Sequence, residues 1–266
     1  MRLAGRVVAI TGGGSGLGAD ACRLARTREA KSIAVVDRDS AAAERLAVEV
    51  GGMPVTADVS SEQQVRAAVA TVEAEFGQVD VWVHNAGIGA KTSTFTPDET
   101  WQRMWQVHVM AIVYASRSLL PRWIERGEGH LAVVASSNAL TSNPVSAAYA
   151  ATKHAELALA EWLHYTYASR GITTCCFCPK GMLTPLLLAS AESDDYARSA
   201  VRTAVTSEEA ARMLVDLIES GQFLTTTYPP VIEEYRLRSQ DPDAYLAMMR
   251  SVHDELVPGV GAVPLR

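Results

Sequence analysis

The chain has 266 residues, 48% of them hydrophobic and 20% charged, which suits one large globular unit with a substantial core. A net charge of −6 argues against nucleic acid or an anionic membrane as partner. No stretch approaches ~20 uninterrupted apolar residues, and the N-terminal apolar run is too short for a signal peptide, so a soluble cytoplasmic protein is expected.

Short apolar runs alternate with longer helical patterns. "RVVAIT" (6–11) reads as a buried strand, followed by a helix from about Gly16 to Arg28. "SIAVVD" (32–37) is a second strand, "SAAAERLAVEV" (40–50) a second helix and "MPVTAD" (53–58) a third strand. Ser60 or Ser61 can cap the helix that runs to Phe76. "VDVWVHN" (79–85) is a fourth strand, and a long helical region covers about Pro97 to Glu125. "HLAVVAS" (130–136), a helix from about Ala147 to Ser169, and "ITTCCFC" (172–178) complete the series. Continuous apolar strands, each followed by a helix, predict a parallel sheet covered on both faces and wound right-handedly. After residue 180 the pattern breaks into a lid with a greasy edge (about 180–206), a helix at about Ser207 to Ser220 and a helical tail within 229–266. No repeat or linker divides the chain before residue 180, so residues 1–266 are expected to form a single domain.

Of the four cysteines, Cys175, Cys176 and Cys178 crowd into the sixth strand, and Cys22 stands alone. Metal ligation needs a second Cys or His cluster, and the six scattered histidines form none. No metal is expected, and the thiols read as buried and reduced.

Two motifs carry chemistry. "TGGGSGLG" (Thr11 to Gly18) stands between the first strand and the first helix. There, glycines let the backbone turn tightly and approach a pyrophosphate, while the helix N-terminus offers N–H groups to the anion. "SAAYAATKHAEL" (Ser146 to Leu157) places Tyr149 and Lys153 four residues apart, one above the other on a helix face. The bland alternatives are a plain tight turn and an exposed surface pair.

"TGGGSGLG", "HNAG" (84–87) and "YAATK" (149–153), in that order and at those separations, closely resemble the short-chain dehydrogenase/reductase family to about residue 190. The resemblance implies an α/β single-domain doubly wound Rossmann fold with a parallel sheet of about seven strands, and NAD or NADP as cofactor. It places Gly12, Ser15, Gly16, Leu17 and Gly18 under the pyrophosphate, and Asp58 and Val59 at the adenine. Asn85, Ala86 and Gly87 line the cleft. Pro179, Met182 and Thr184 stand at the nicotinamide end, with Thr184 on the carboxamide. Lys180 occupies a position where glycine is usual. Asp37 ends the second strand, where a carboxylate accepts ribose hydroxyls and repels a 2′-phosphate, so NAD is favoured over NADP. Arg38 is the counter-signal.

An isolated tyrosine titrates near 10 and is a poor base at pH 7. A unit positive charge about 4 Å away, at an effective dielectric near 20, is worth on the order of 4 kcal/mol, which is roughly the shift such a base requires. Lys153 is therefore expected to make Tyr149 a usable acid/base, and in the family this lysine also holds the nicotinamide ribose. Ser136, thirteen residues before Tyr149, is expected to hold the substrate oxygen, with Ser137 as its competitor. The fourth catalytic position of the family is usually asparagine, and this chain has His108 there, in "WQRMWQVHVMA". A histidine can donate, accept and titrate, so it either preserves the proton relay in altered form or breaks it. His84 reads as a packed strand residue, and His154 gets no catalytic role.

The leading reading is an NAD-dependent dehydrogenase acting on a secondary alcohol or ketone. The rivals are a sugar-nucleotide epimerase or dehydratase, and a cofactor-binding regulatory protein without turnover. "GMLTPLLLAS", Trp101 and Trp105 hint at a lipophilic, steroid- or terpenoid-like substrate, with ordinary core as the alternative. Apolar residues on more than one face of the helices at 97–125 and 147–169, including Trp162, Leu163 and Tyr167, predict a homodimer or homotetramer.

Overall fold

The computed structural model describes residues 1–192 and 195–256. Residues 193–194 of the expected lid and 257–266 of the expected tail lie outside them. Nine strands occur among the described residues: β1 (Val7–Thr11), β2 (Ser32–Asp37), β3 (Met53–Thr56), β4 (Val81–His84), β5 (Gly129–Val134), β6 (Ile172–Phe177), β7 (Met182–Leu183), β8 (Val205–Thr206) and β9 (Leu224–Thr225). Seven of them form one parallel sheet in the order β3-β2-β1-β4-β5-β6-β9, and β7 pairs with β8 separately.

The helices are α1 (Gly16–Thr27), α2 (Ser40–Val50), α3 (Glu62–Phe76), α4 (Asp98–Trp105), α5 (Ala111–Arg126), α6 (Ala147–Tyr167), α7 (Pro185–Ala191), α8 (Asp195–Val201), α9 (Ser207–Ser220), α10 (Pro230–Gln240) and α11 (Pro242–Leu256). The period of two in the strands sorts their side chains into two cores. Val7, Ala9 and Trp82 pack with Val65 of α3, Leu119 of α5 and Leu157 of α6. Val8, Ile10 and Val81 pack with Leu17 of α1, Leu46 of α2 and Leu214 of α9. Each fully buried side chain of this size contributes about 1.5–3 kcal/mol, so the sheet is fixed from both faces.

Helix starts follow the capping residues. Asp39 accepts the Ala42 amide ahead of α2, and Thr206 with Glu209 forms a capping box on α9. Of the two candidates before α3, Ser61 is the cap and accepts from Gln64, while Ser60 turns to Asp58. The long helix expected over 97–125 is interrupted. A π turn, Gln106–Met110, joins α4 to α5, and it buries Val107, His108 and Val109 in succession. The seventh strand of the sheet, β9, has only two residues and so no period to read; the amides of Cys176 and Cys178 hold it, donating to Phe223 and Thr225 at 2.6 and 2.8 Å.

Three histidines are buried in this frame: His84 on β4, His108 in the π turn and His130 on β5. Burial pushes His84 and His130 down to about 3 and His108 to about 2, with Lys153 adding to the effect at His84 and His108. Each is neutral in the folded chain and takes up a proton on unfolding below about pH 6.5. Their contribution to stability is therefore complete above pH ~6.5 and is lost as pH falls toward 3, by about 1.4 kcal/mol per pH unit for each. His130 is remote from the cleft described below. In His130→Leu the loss of stability between pH 6.5 and 4 should be shallower than in the wild type by about one proton, read from urea unfolding at a series of pH values. Parallel slopes would contradict the assignment.

Candidate active site

A cleft of about 310 Å³ opens beyond the carboxyl ends of β1 and β4, where the strand order reverses. Its wall is made of segments that the sheet delivers to one place. Gly12, Ser15, Gly16 and Leu17 come from the turn after β1, Asp37 and Arg38 from the end of β2, and Asp58 and Val59 from the end of β3. Asn85, Ala86 and Gly87 follow β4, Tyr149 and Lys153 stand on α6, and Met182 and Thr184 close the far side. Gly18, His108, Ser136 and Pro179 are not on the wall. The Pro179 carbonyl accepts the Ser137 amide at 2.7 Å, and the Ser136 hydroxyl accepts the Asn138 amide at 3.1 Å. Trp101 and Trp105 also stand off the wall; the Trp101 indole donates to the Ser93 carbonyl, and Trp105 is exposed.

The glycine turn is fixed against β4. Thr11 Oγ1 accepts the amides of Asn85 and Ala86 at 3.0 and 3.1 Å and donates to the Val83 carbonyl at 3.2 Å. The Asn85 side chain donates in turn to the carbonyls of Thr11 and Gly12. Gly18 is glycine for a steric reason: a Cβ there would lie 2.1 Å from the Gly12 carbonyl oxygen. Gly12 has φ +62° and lies against the Ala86 backbone, a combination that no L side chain adopts comfortably. Ser15 stands before α1 without a side-chain hydrogen bond to the helix, so the first-turn N–H groups are not claimed by a cap. A tight glycine cradle opening onto a helix N-terminus fits a pyrophosphate.

At one end of the cleft two carboxylates are held in place. The Asp37 oxygens accept the amides of Gly14 at 2.9 Å and Asp39 at 3.0 Å. Asp58 accepts from the amide and hydroxyl of Ser60 and from Arg103 at 2.9 Å. Burial works to raise the Asp58 carboxyl, but hydrogen bonds from Ser60 and Arg103 outweigh it and hold the group below the usual carboxylate range. Arg103, on α4, also lines the cleft. Nothing in "WQRMWQ" marks it, because its partners lie more than forty residues away.

At the other end, the Lys153 ammonium lies 5.5 Å from the centre of the Tyr149 ring and is 3% exposed. Both oxygens of Glu156 accept from it, at 2.9 and 3.0 Å, and the Val134 carbonyl lies at 3.4 Å. Glu156 is itself fully buried. Burial works against the ammonium, but the Glu156 carboxylate outweighs it and keeps Lys153 above the ordinary lysine range. Burial also pushes Glu156 up to about 7 despite the lysine. Sequence reading missed Glu156, although an acid three residues after a lysine in an alanine-rich helix is a visible signal.

His108 stands behind Gly87, with its ring nearly perpendicular to that of Tyr149 at a centroid distance of 5.6 Å. Its Nε2 accepts the Ile88 amide at 3.1 Å. An amide only donates, so the proton of the neutral ring sits on Nδ1, which donates to Thr152 Oγ1 at 2.9 Å. Thr152 donates onward to the Tyr149 carbonyl. The imidazole thus ties the loop after β4 to the first turn of α6. Of the other histidines, His84 is buried on β4, and His154 Nδ1 meets the Ala150 carbonyl on its own helix.

The sequence profile of the short chain dehydrogenases matches residues 6–195, and the chain belongs to that family. It is 31% identical over 240 residues to 2-(S)-hydroxypropyl-CoM dehydrogenase 3 of Xanthobacter autotrophicus, covering 84% of this chain and 94% of that protein. It is 30% identical to 1-deoxy-11-beta-hydroxypentalenate dehydrogenase of Streptomyces exfoliatus, covering 92% of this chain and 90% of that one. Among solved structures it matches 3-ketoacyl-(acyl-carrier-protein) reductase of Brucella melitensis complexed with NADH (TM-score 0.78, 30% identity, 85% and 97% of the chains). It also matches L-sorbose reductase of Gluconobacter frateurii complexed with NADPH and L-sorbose (TM-score 0.75, 26% identity, 86% and 96%). The protein is an oxidoreductase of this family with a nicotinamide-cofactor fold. Among the described residues, no helix is long and apolar enough to cross a membrane.

The geometry of His108 gives a direct test. His108→Leu leaves the Ile88 amide without its acceptor, a cost of about 1–3 kcal/mol in stability. It should also weaken NADH binding by loosening the loop at Gly87. In wild type, a ring held down to about 2 does not titrate across the working range. The shape of kcat against pH from 5 to 8 should therefore be the same in wild type and His108→Asn. An acidic limb that disappears in His108→Asn would show instead that the imidazole relays protons.

Proposed function

We propose that this protein is an NAD-dependent dehydrogenase acting on a secondary alcohol or ketone. The observation that carries the reading is the pairing of Tyr149 with a buried ammonium, Lys153, on the wall of a glycine-cradled cleft. When bound, the nicotinamide supplies the hydride acceptor or donor. Tyr149 takes a proton from the alcohol oxygen or returns one to the carbonyl, and the positive charge of Lys153 favours the phenolate. Ser136, buried directly after the wall residue Ala135, is assigned to that same oxygen: its hydroxyl accepts from the Asn138 amide, which leaves its own O–H to donate toward the cleft. Gly12, Ser15, Gly16, Leu17 and Gly18 form the pyrophosphate cradle, Asp58 and Val59 the adenine wall, and Pro179, Met182 and Thr184 the nicotinamide end. His108 acts as a positioning residue that keeps Gly87 and Ile88 against α6.

NAD is favoured over NADP because Asp37, held by the amides of Gly14 and Asp39 on the cleft wall, presents a fixed carboxylate that would repel a 2′-phosphate. A lipophilic substrate is favoured by the exposed Leu183 and Leu188, on the segment that begins with the cleft residues Met182 and Thr184. Assembly as a homodimer or homotetramer is supported by an apolar groove of about 370 Å³ between α5 and α6, lined by Leu120, Ile124, Leu159, Trp162 and Tyr167.

Two variants test the chemistry against a panel of secondary alcohols, with steroid, terpenoid and short aliphatic members. Tyr149→Phe should lower kcat by at least about a thousandfold, in line with loss of a positioned acid/base. NADH affinity, followed by nicotinamide fluorescence, should stay within a few-fold of wild type. If Tyr149→Phe keeps a tenth of the turnover, Tyr149 is not the acid/base. Asp37→Ala should weaken NAD and improve NADP, so that the ratio of their kcat/KM values shifts by tenfold or more. A wild-type preference for NADP would refute the assignment of Asp37.

A further inference from the structure

The ion pair under Tyr149 goes beyond the proton transfer just described, although it rests on that reading. A lone ammonium at 3% exposure is a costly group to bury, because water no longer solvates it. The charge that compensates it belongs to Glu156. Both Glu156 oxygens hold Lys153 Nζ, and the Glu156 side chain is 0% exposed. The other titratable groups that face this patch carry no negative charge to share the task. His84 from β4 and His108 from the π turn are both neutral and are held so partly by Lys153. Cys176 from β6, and Cys178 just beyond it, are free buried thiols, and Tyr149 is the remaining neighbour on α6.

We propose that Glu156 is a positioning residue for the reaction: it holds the Lys153 ammonium at the floor of the cleft and offsets part of its charge, so that Tyr149 works beside an ion pair rather than beside a lone cation. Two consequences follow. The first is geometric: with one side of the ammonium taken by two carboxylate oxygens, its remaining hydrogen is aimed away from Glu156. The second is electrostatic. A carboxylate behind the lysine opposes formation of the phenolate in front of it. A unit charge acting across a few ångströms beyond a neighbouring ion, at an effective dielectric near 20, moves a pKa by about one unit or more. The charge on Glu156 is thus felt at Tyr149 across Lys153.

The sign is fixed. Taking away the Glu156 charge while keeping its shape favours the phenolate. The limb of kcat/KM that reports Tyr149 should move to lower pH in Glu156→Gln by about one unit or more. That holds for alcohol oxidation, which needs the phenolate, and for carbonyl reduction, which needs the phenol. Glu156→Asp keeps the charge and should bring the limb back toward wild type.

The experiment has two arms. Wild-type turnover with NAD is measured first, and its absence across the alcohol panel counts against the dehydrogenase reading itself. The second arm needs no substrate: tyrosinate absorbance is titrated with and without NADH, and the Tyr149→Phe curve is subtracted to isolate Tyr149. A lower midpoint for Tyr149 in Glu156→Gln, reversed in Glu156→Asp, is the expected result. An unchanged midpoint in a folded Glu156→Gln protein overturns the proposal. If Glu156→Gln does not fold, thermal melting of the double variant Lys153→Met/Glu156→Leu decides. Removing both charges should restore a cooperative transition that the single variant lacks, because the defect is then the unpaired cation. A double variant as unstable as the single one overturns the proposal.

Discussion

An ammonium ion can be kept in a protein interior only where its charge is answered, and Lys153 is kept there. That requirement shapes the surroundings of the cleft floor. Glu156 answers the charge from one turn further along α6, and the Val134 carbonyl at the end of β5 adds a dipole. The imidazoles that come closest from β4 and from the π turn are held neutral, so no second positive charge competes. Tyr149 meets the same ammonium through its ring face at 5.5 Å. A helix with small residues makes this feasible, because Ala160, packed in the core, lets α6 lie close to the sheet and deliver Lys153 into it.

The cleft itself depends on two loops from different strands being tied together. Asn85 and Ala86, after β4, donate four hydrogen bonds to Thr11 and Gly12 at the end of β1. His108 carries the connection onward, from Ile88 to Thr152 and through it to the Tyr149 carbonyl. The glycine cradle, the middle of the cleft and the start of α6 are thereby joined by a continuous set of short polar contacts. Since a buried amide left without an acceptor costs more than a typical hydrogen bond gains, each member holds its neighbour in place.

Much of this was legible in the residues, and for identifiable reasons. Most of the six longer strands are mainly apolar runs, and the glycine turn, "HNAG" and "YAATK" are local motifs whose separations survive folding. Asp37 could be placed because it ends a strand whose limits were plain. What could not be read depends on contacts distant in sequence or on short elements without a period. β9 is two residues long and is recognisable only by its pairing with β6. The π turn needs one more residue per turn than the pattern allows for, and no propensity marks it. Arg103 finds Asp58 and Ser60 across more than forty residues. Glu156 is different: its spacing from Lys153 was visible, but an i,i+3 pair on a helix is ordinarily a solvated surface pair, and only burial changes its meaning.

The same kind of ion pair therefore does different things at the two ends of the cleft. Arg103 and Asp58 meet at 2.9 Å with side chains 41% and 30% exposed. Water and salt screen such a pair, and it is worth about 1 kcal/mol or less, enough to hold a loop but not to alter the chemistry of a neighbour. Lys153 and Glu156 meet at the same 2.9 Å with side chains 4% and 0% exposed. There the field is screened much less, desolvation offsets most of the mutual attraction, and the pair is a poor source of stability compared with apolar side chains of the same volume. Its effect lies in the field it imposes on the group in front of it, and that group is Tyr149. A buried pair of this kind stabilises the fold little but acts strongly on the group beside it, which the exposed pair at the other end does not.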